Sequence, residues 1–336
     1  MTAAAPLVLV LLLVATASFT QAFAAGRWML AIVVPYGAVL AALAGALLRV
    51  RGWVRAPVPF AIPTTCGQQR SLGGLRASLL ESPPGRGWAA ARLACEVLLF
   101  RSLFRNTAAR YAGTVQPRLA TFDRKMLWLA ALAFHYSLLA AGLRHLRFFV
   151  EPVPSLATRI SGLDAFFEAG TPALYVTDVI ILAALAWLLW RRILDPTVRF
   201  VSLATDYFAL MLVAGVVLSG VLMRHCWRTD VALAKQWAMG LLTLRPDWTT
   251  APEGLFLVHV LLAGVLVAWL PFGKLSHAMS VFLSPTRALA NDTRRRRHVN
   301  PWNAPVEVRR YHEWEEEFKD KILAAGLPLD GEGKHA

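Results

Sequence analysis

Two histidines, His135 and His145, lie ten residues apart inside the apolar stretch LAFHYSLLAAGLRHLRFF, residues 132–149. A second two, His259 and His277, lie eighteen residues apart in LFLVHVLLAGVLVAWLPFGKLSHAMS. An imidazole in hydrocarbon must be satisfied or it costs several kcal/mol, so such residues are rare and mark a small set of chemistries. They ligate a metal or a haem iron, relay protons, or bond one helix to another. A single histidine on an apolar face is more often a hydrogen-bonded core residue. Two on each of two segments is a different pattern, because it allows facing pairs.

The segments that must position them are membrane helices. The chain has 336 residues, 57% of them hydrophobic, and a mean hydropathy of +0.49, above the usual range of a soluble domain. A spanning helix needs about 20 mostly apolar residues. Six segments satisfy this: about Leu7–Ala24, Trp28–Val50, Met126–Val150, Pro172–Trp190, Leu203–Met223 and Phe256–Leu275. The first also has the outline of a signal peptide, with QAFAAG as a small-residue site, but MTAAAP lacks the basic start, which favours a retained helix. The expected architecture is an all-α membrane protein of about six helices.

The net charge of +14 would suggest nucleic acid in a soluble chain, whereas here it marks one side of a bilayer. Thirteen Lys and Arg lie between Arg49 and Lys125, against Glu81, Glu96 and Asp123, and further basic runs occur in RRILDPTVR and TRRRRH. The link EPVPSLATRISGLDAFFEAGT carries Glu151, Asp164 and Glu168 against Arg159. The positive-inside rule therefore puts the basic links, and both termini, in the cytoplasm, with anionic lipid as their main partner and no nucleic acid implied. Four regions follow: a two-helix hairpin over 1–50, a basic link over 51–125, a histidine-bearing four-helix domain over 126–283 and a tail over 284–336. Within the link, WAAARLACEVLLFRSLFRN reads as one interfacial or docking helix, and the tail segment YHEWEEEFKDKILAAGLPL as a solvated helix.

Direction decides the pairing of the histidines. The helix with His135 and His145 runs outward and the helix with His259 and His277 runs inward. His135 therefore faces His277, an inner pair, and His145 faces His259, an outer pair. Facing neutral imidazoles form a bis-histidine axial site for haem, with the macrocycle in the bundle interior. No CxxCH is present, so two noncovalent haems of b type are expected. One mismatch stands: ten residues span about 15 Å of ideal helix and eighteen about 27 Å. Pro271 and Gly273 lie between His259 and His277 and can break the second helix. Arg144 and Arg147 flank His145 and either pair with haem propionates or snorkel to the interface.

The cysteines Cys66, Cys95 and Cys226 are too scattered for a disulfide framework or an iron–sulfur centre, so any cluster belongs to a partner. Cys66, in IPTTCGQQ, reads as structure or docking surface rather than as a redox thiol. His225 and Cys226 close the fifth helix and read as a helix end.

The two histidine spacings, with RRILDPTVR and WLPFGKLSH, resemble the gamma subunit of respiratory nitrate reductase, a two-haem quinol-oxidising cytochrome b, over about Met126–Ser284. APVPFAIPTTCGQQRSL, ACEVLLFRSLFRNT and LAFHYSLLAAGLRHLRFF are similar to the DsrM family, the cytochrome b subunits of the DsrMKJOP complexes of dissimilatory sulfur metabolism. The resemblance implies that His135, His145, His259 and His277 are axial ligands. It implies a menaquinol oxidised near the outer haem, and electrons passed inward to the iron–sulfur subunit DsrK, which acts on DsrC, with DsrJ, DsrO and DsrP as further subunits. It also implies a multi-pass protein of a bacterial or archaeal cytoplasmic membrane. The nitrate reductase relatives carry a quinol-binding lysine in the link after the first histidine-bearing helix, and SGLDAFFEAGTPALYVTD has none. Asp164, Glu168 and His225 are the remaining quinone-site candidates, although a solvated loop carboxylate is the plainer reading of the two acids. Two other classes stay open: a proton or metal transporter using these histidines, and a membrane anchor in which they bond helices together.

Overall fold

A computed structural model describes residues 3–56, 67–70, 74, 76–112, 118–165, 174–284, 287–291 and 308–330. Among the described residues each of the six apolar segments contains a helix, the structure that satisfies backbone N–H and C=O groups where no water can. Helix α1 spans Ala4–Thr20, and α2 (Ala24–Trp28) continues through a π-helical turn at Met29–Val33 into α3 (Val34–Arg55). The basic link holds α4 (Arg86–Leu99), α5 (Arg101–Phe104) and an antiparallel hairpin of β1 (Thr107–Ala112) and β2 (Arg118–Asp123). Then come α6 (Lys125–Phe149), α7 (Ser155–Asp164), α8 (Val176–Leu194), α9 (Pro196–Val201) and α10 (Ala204–His225). The last elements are α11 (Val231–Leu242), α12 (Leu255–Trp269), α13 (His277–Leu283) and α14 (Tyr311–Ala324).

Ala24–Arg55, Lys125–Phe149 and Ala204–His225 are each long and apolar enough to cross a membrane, and α12 with Lys274–Leu283 is so only as a pair bent by 70°, the geometry of a broken span or of a re-entrant loop. The other two apolar helices fall short on different grounds. α1 has 17 residues, and α8 carries Asp178 in its first turn and Arg191 and Arg192 in its last. The all-helical class holds for the membrane part, and the hairpin in the link is an addition to it. The expected single link helix is two, broken at Phe100, whose backbone is left-handed at φ 49°.

Residues 1–57 and 61–292 form one compact unit. In it α6 packs on α8, α8 on α10 and α10 on α12, while α1 packs on α10 and α12, and α3 packs on α12. The two N-terminal helices thus share a core with the histidine-bearing ones. Leu30, Leu212, Leu257 and Leu262 are its most deeply buried leucines. The π turn has a visible partner: Trp237 of α11 donates its indole N–H to the Ala31 carbonyl at 3.0 Å. The residue one turn on is Pro35, which has no N–H to offer that carbonyl, and the buried indole takes it. The RRILDPTVR segment turns by a cap, with the Asp195 carboxylate accepting the N–H groups of Thr197 and Val198 and Pro196 in the first turn of α9.

Residues 58–60 and 293–336 form the second unit, whose described part is the solvated helix α14 and its flanks. Glu313 accepts the Arg310 N–H at 3.0 Å and Arg309 pairs with Glu317, so this helix start is held by charge and capping.

Candidate functional site

Each histidine pair meets across the space between α6 and the α12–α13 segment. The His135 and His277 ring centroids are 6.0 Å apart, with planes at 78°. The His145 and His259 centroids are 6.5 Å apart, with planes at 12°. Imidazole nitrogen binds a first-row metal at about 2 Å, and two such bonds plus the ring radii put the centroids about 6 Å apart. Both separations fit one metal ion between each pair of rings.

The second ring nitrogen of each histidine is also accounted for. His135 Nδ1 lies 2.7 Å from the Ala131 carbonyl and His145 Nδ1 lies 2.7 Å from the Ala141 carbonyl, each one turn back on α6. His277 Nδ1 lies 2.8 Å from the Lys274 carbonyl. His259 Nδ1 lies 2.8 Å from Ser219 Oγ, whose own hydroxyl donates to the Val216 carbonyl at 3.0 Å. A carbonyl only accepts, and a serine that has donated elsewhere must accept, so the proton sits on Nδ1 in all four rings. Nε2 is left with its lone pair, the tautomer an axial ligand needs.

The spacing mismatch is resolved at the end of α12. The helix stops at Trp269, Leu270–Gly273 break it, and a short 3-10 turn at Lys274–Ser276 leads to His277 as the first residue of α13. Arg49 of α3 donates its Nε–H to the Pro271 carbonyl at 2.9 Å, which the break leaves free. Gly45, one turn earlier on α3, makes room: a Cβ there would stand 2.6 Å from Pro271 Cγ and 2.7 Å from Phe272 Cζ. From the other side Lys274 donates to the buried Asp206 carboxylate at 2.7 Å, with Arg192 3.6 Å away. The residue whose carbonyl orients His277 is therefore the one tied to α10.

The expected propionate partners are engaged elsewhere. Arg144 is buried and does not snorkel. It pairs with Asp164, bonds Thr177 Oγ1 at 2.9 Å and Asp178 at 3.2 Å, and lies 3.9 Å from the centre of the Tyr175 ring. Arg224 covers that ring at 3.8 Å. Arg147 bonds the Arg144 carbonyl at 3.1 Å and Ser161 at 2.5 Å. Asp164 is not a solvated loop carboxylate. It is buried, and it accepts the Thr177 N–H and hydroxyl at 2.9 and 2.6 Å besides Arg144. His225 Nε2 is buried and without a hydrogen-bond partner among the described residues. Glu168 and Cys66 lie outside the described residues, Cys95 is half-buried and Cys226 is exposed. Among the described residues no three His, Cys, Asp or Glu side chains gather as a metal cage.

The profile of the nitrate reductase gamma subunit family matches residues 92–289, a stretch that includes all four paired histidines. The chain belongs to the nitrate reductase gamma subunit family. It is also 40% identical over 308 residues to the Hdr-like menaquinol oxidoreductase cytochrome b-like subunit of Archaeoglobus fulgidus, covering 89% of this chain and 87% of that one. The namesake subunit of Archaeoglobus profundus is 39% identical over 284 residues, covering 82% of each chain. This is a multi-pass membrane cytochrome b of quinone-linked electron transfer, a component of an oxidoreductase complex.

Proposed function

We propose that the chain is the dihaem membrane subunit that takes electrons from menaquinol and delivers them to a cytoplasmic iron–sulfur subunit of the DsrK type, as the DsrM subunit of a DsrMKJOP complex of sulfur metabolism. Both archaeal relatives are named as menaquinol oxidoreductase subunits, which supports the quinone assignment. The observation that carries the reading is the pair of histidine separations, 6.0 and 6.5 Å, with Nδ1 spent in all four rings. His135 and His277 hold the inner haem b, and His145 and His259 the outer. Bound haem would supply one-electron chemistry at the iron, and the chain supplies the ligands and their orientation.

Menaquinol oxidation gives up two electrons and two protons, so it needs a proton acceptor near the outer pair. Asp164 is already bonded to Arg144 and Thr177. His225, with its buried free Nε2 at the end of α10, is the better candidate of the two, and Glu168 is the third. The Asp and Glu of the outer link set against the basic cytoplasmic links support a membrane orientation with both termini inside. A nitrate reductase subunit or another heterodisulfide reductase-like complex differs from this reading only in its partners. The metal-transport alternative gains no cage of three ligands among the described residues.

Reduced-minus-oxidised spectra with haem quantitation test the proposal on the purified chain. Two b haems per chain, and one in His145→Ala, are expected. No haem, or two retained in His145→Ala, overturns it.

A further inference from the structure

Phe100 combines two unusual features. Its backbone is left-handed (φ 49°, ψ 45°), a conformation that closes helices with glycine and is strained for a bulky side chain. Its ring stands edge-on to His135, with centroids 4.9 Å apart and planes at 82°. Phe134 takes the same attitude to His135, also at 4.9 Å. The inner imidazole is therefore flanked by two aromatic rings, one from its own helix and one from the basic link.

The strained turn is held from every side. Phe100 N–H donates to the Cys95 carbonyl. Trp128 of α6 donates to the Leu99 carbonyl at 2.8 Å, and Tyr136 of α6 donates to the Leu98 carbonyl at 2.9 Å. The Glu96 carboxylate accepts the Ser102 N–H at 3.0 Å and its hydroxyl at 2.6 Å. Phe104 packs against Trp128, with ring centroids 4.9 Å apart. A strained residue persists only where its surroundings over-determine it, and such residues concentrate at working sites. Here glycine would serve the turn without strain, so what phenylalanine adds is the ring against His135.

We propose that Phe100 is a shielding and positioning residue of the inner histidine pair, carried on a strained turn of the link so that its ring fixes His135 and excludes water from that site. The inference rests on the haem reading above. An apolar ring at the site disfavours the extra charge of the oxidised iron, so its loss lowers the inner potential.

The test uses the full chain, purified with its haems, in four forms: wild type, Phe100→Gly, Trp128→Phe and His145→Ala. Haem content, thermal unfolding and both midpoint potentials are measured. The potential that vanishes in His145→Ala belongs to the outer site. Phe100→Gly is expected to unfold no earlier than wild type, to keep both haems and to show a lower potential at the inner site alone. Trp128→Phe, which frees the Leu99 carbonyl and loosens the turn, is expected to shift the same potential in the same direction by less. Unchanged potentials in both variants overturn the inference, as does an equal shift at both sites. Absence of haem from the wild type instead refutes the reading beneath it, and the first spectrum separates the two.

Discussion

The inner and outer histidine pairs are built by opposite strategies. The outer pair joins two continuous helices: His145 lies within α6 and His259 within α12, near-parallel rings bonded to a carbonyl one turn back and to Ser219. The inner pair joins a continuous helix to a broken one, with near-perpendicular rings. Beside the outer pair, Arg144 and Arg147 flank His145 on α6 and Arg144 pairs with Asp178, with one ring, Phe148, 5.8 Å from His145. The inner pair is flanked by the rings of Phe100 and Phe134. The outer histidines sit on unbroken helices and need one side-chain partner, Ser219 of α10, whereas the inner pair depends on residues that hold a break: Gly45 and Arg49 of α3, and Asp206 of α10.

That contrast can be broken most forcefully at Gly45. Gly45→Val drives a side chain into Pro271 and Phe272 and is expected to remove the inner haem while leaving the outer one, read as one haem per chain. Equal loss of both haems would mean that α3 supports the whole bundle and not the break. On the outer side, Arg144→Gln leaves Asp164 and Asp178 without their buried cation. Breaking a buried pair typically costs about 3–5 kcal/mol, so earlier thermal unfolding is expected, with the inner haem spectrum intact until the transition. Asp206→Asn frees Lys274 and is expected to weaken haem retention at the inner site alone, scored by haem loss on dilution. The smallest effect is set for Ser219→Ala, which takes away the partner of His259 Nδ1 and should weaken the outer site about tenfold, the lower end for a lost ligand-orienting bond. A loss at the inner site instead would contradict the pairing.

The histidines and their partners were legible because spacing, apolar runs and the distribution of arginine together set depth and direction. The break was legible as well, since Pro271 and Gly273 stand in an otherwise unbroken apolar run. What holds the break was not, because Gly45 and Arg49 lie more than two hundred residues away in sequence and look like ordinary helix residues. Asp164 was misread as a solvated carboxylate for the same reason: its burial depends on Arg144 and Thr177, which only the packing of α6, α7 and α8 brings to it. Phe100 carried no local signal, since its sequence continues a helical pattern on both sides and only the tertiary bonds of Trp128, Tyr136 and Glu96 stabilise the left-handed turn. The hairpin escaped because its six-residue strands lack an apolar run, and α11 because its apolar 12 residues are too short to read as a span.

The ring angles offer the most direct test of two separate paired-histidine sites. Perpendicular axial imidazoles would leave the relevant iron orbitals nearly degenerate and parallel ones would split them, so the proposed dihaem assignment requires two ferric centres that differ in electron paramagnetic resonance. The oxidised chain is predicted to show two low-spin signals, a strongly anisotropic one that disappears in His277→Ala and a rhombic one that disappears in His259→Ala. A single signal in the wild type, or one lost equally in both variants, would contradict the account.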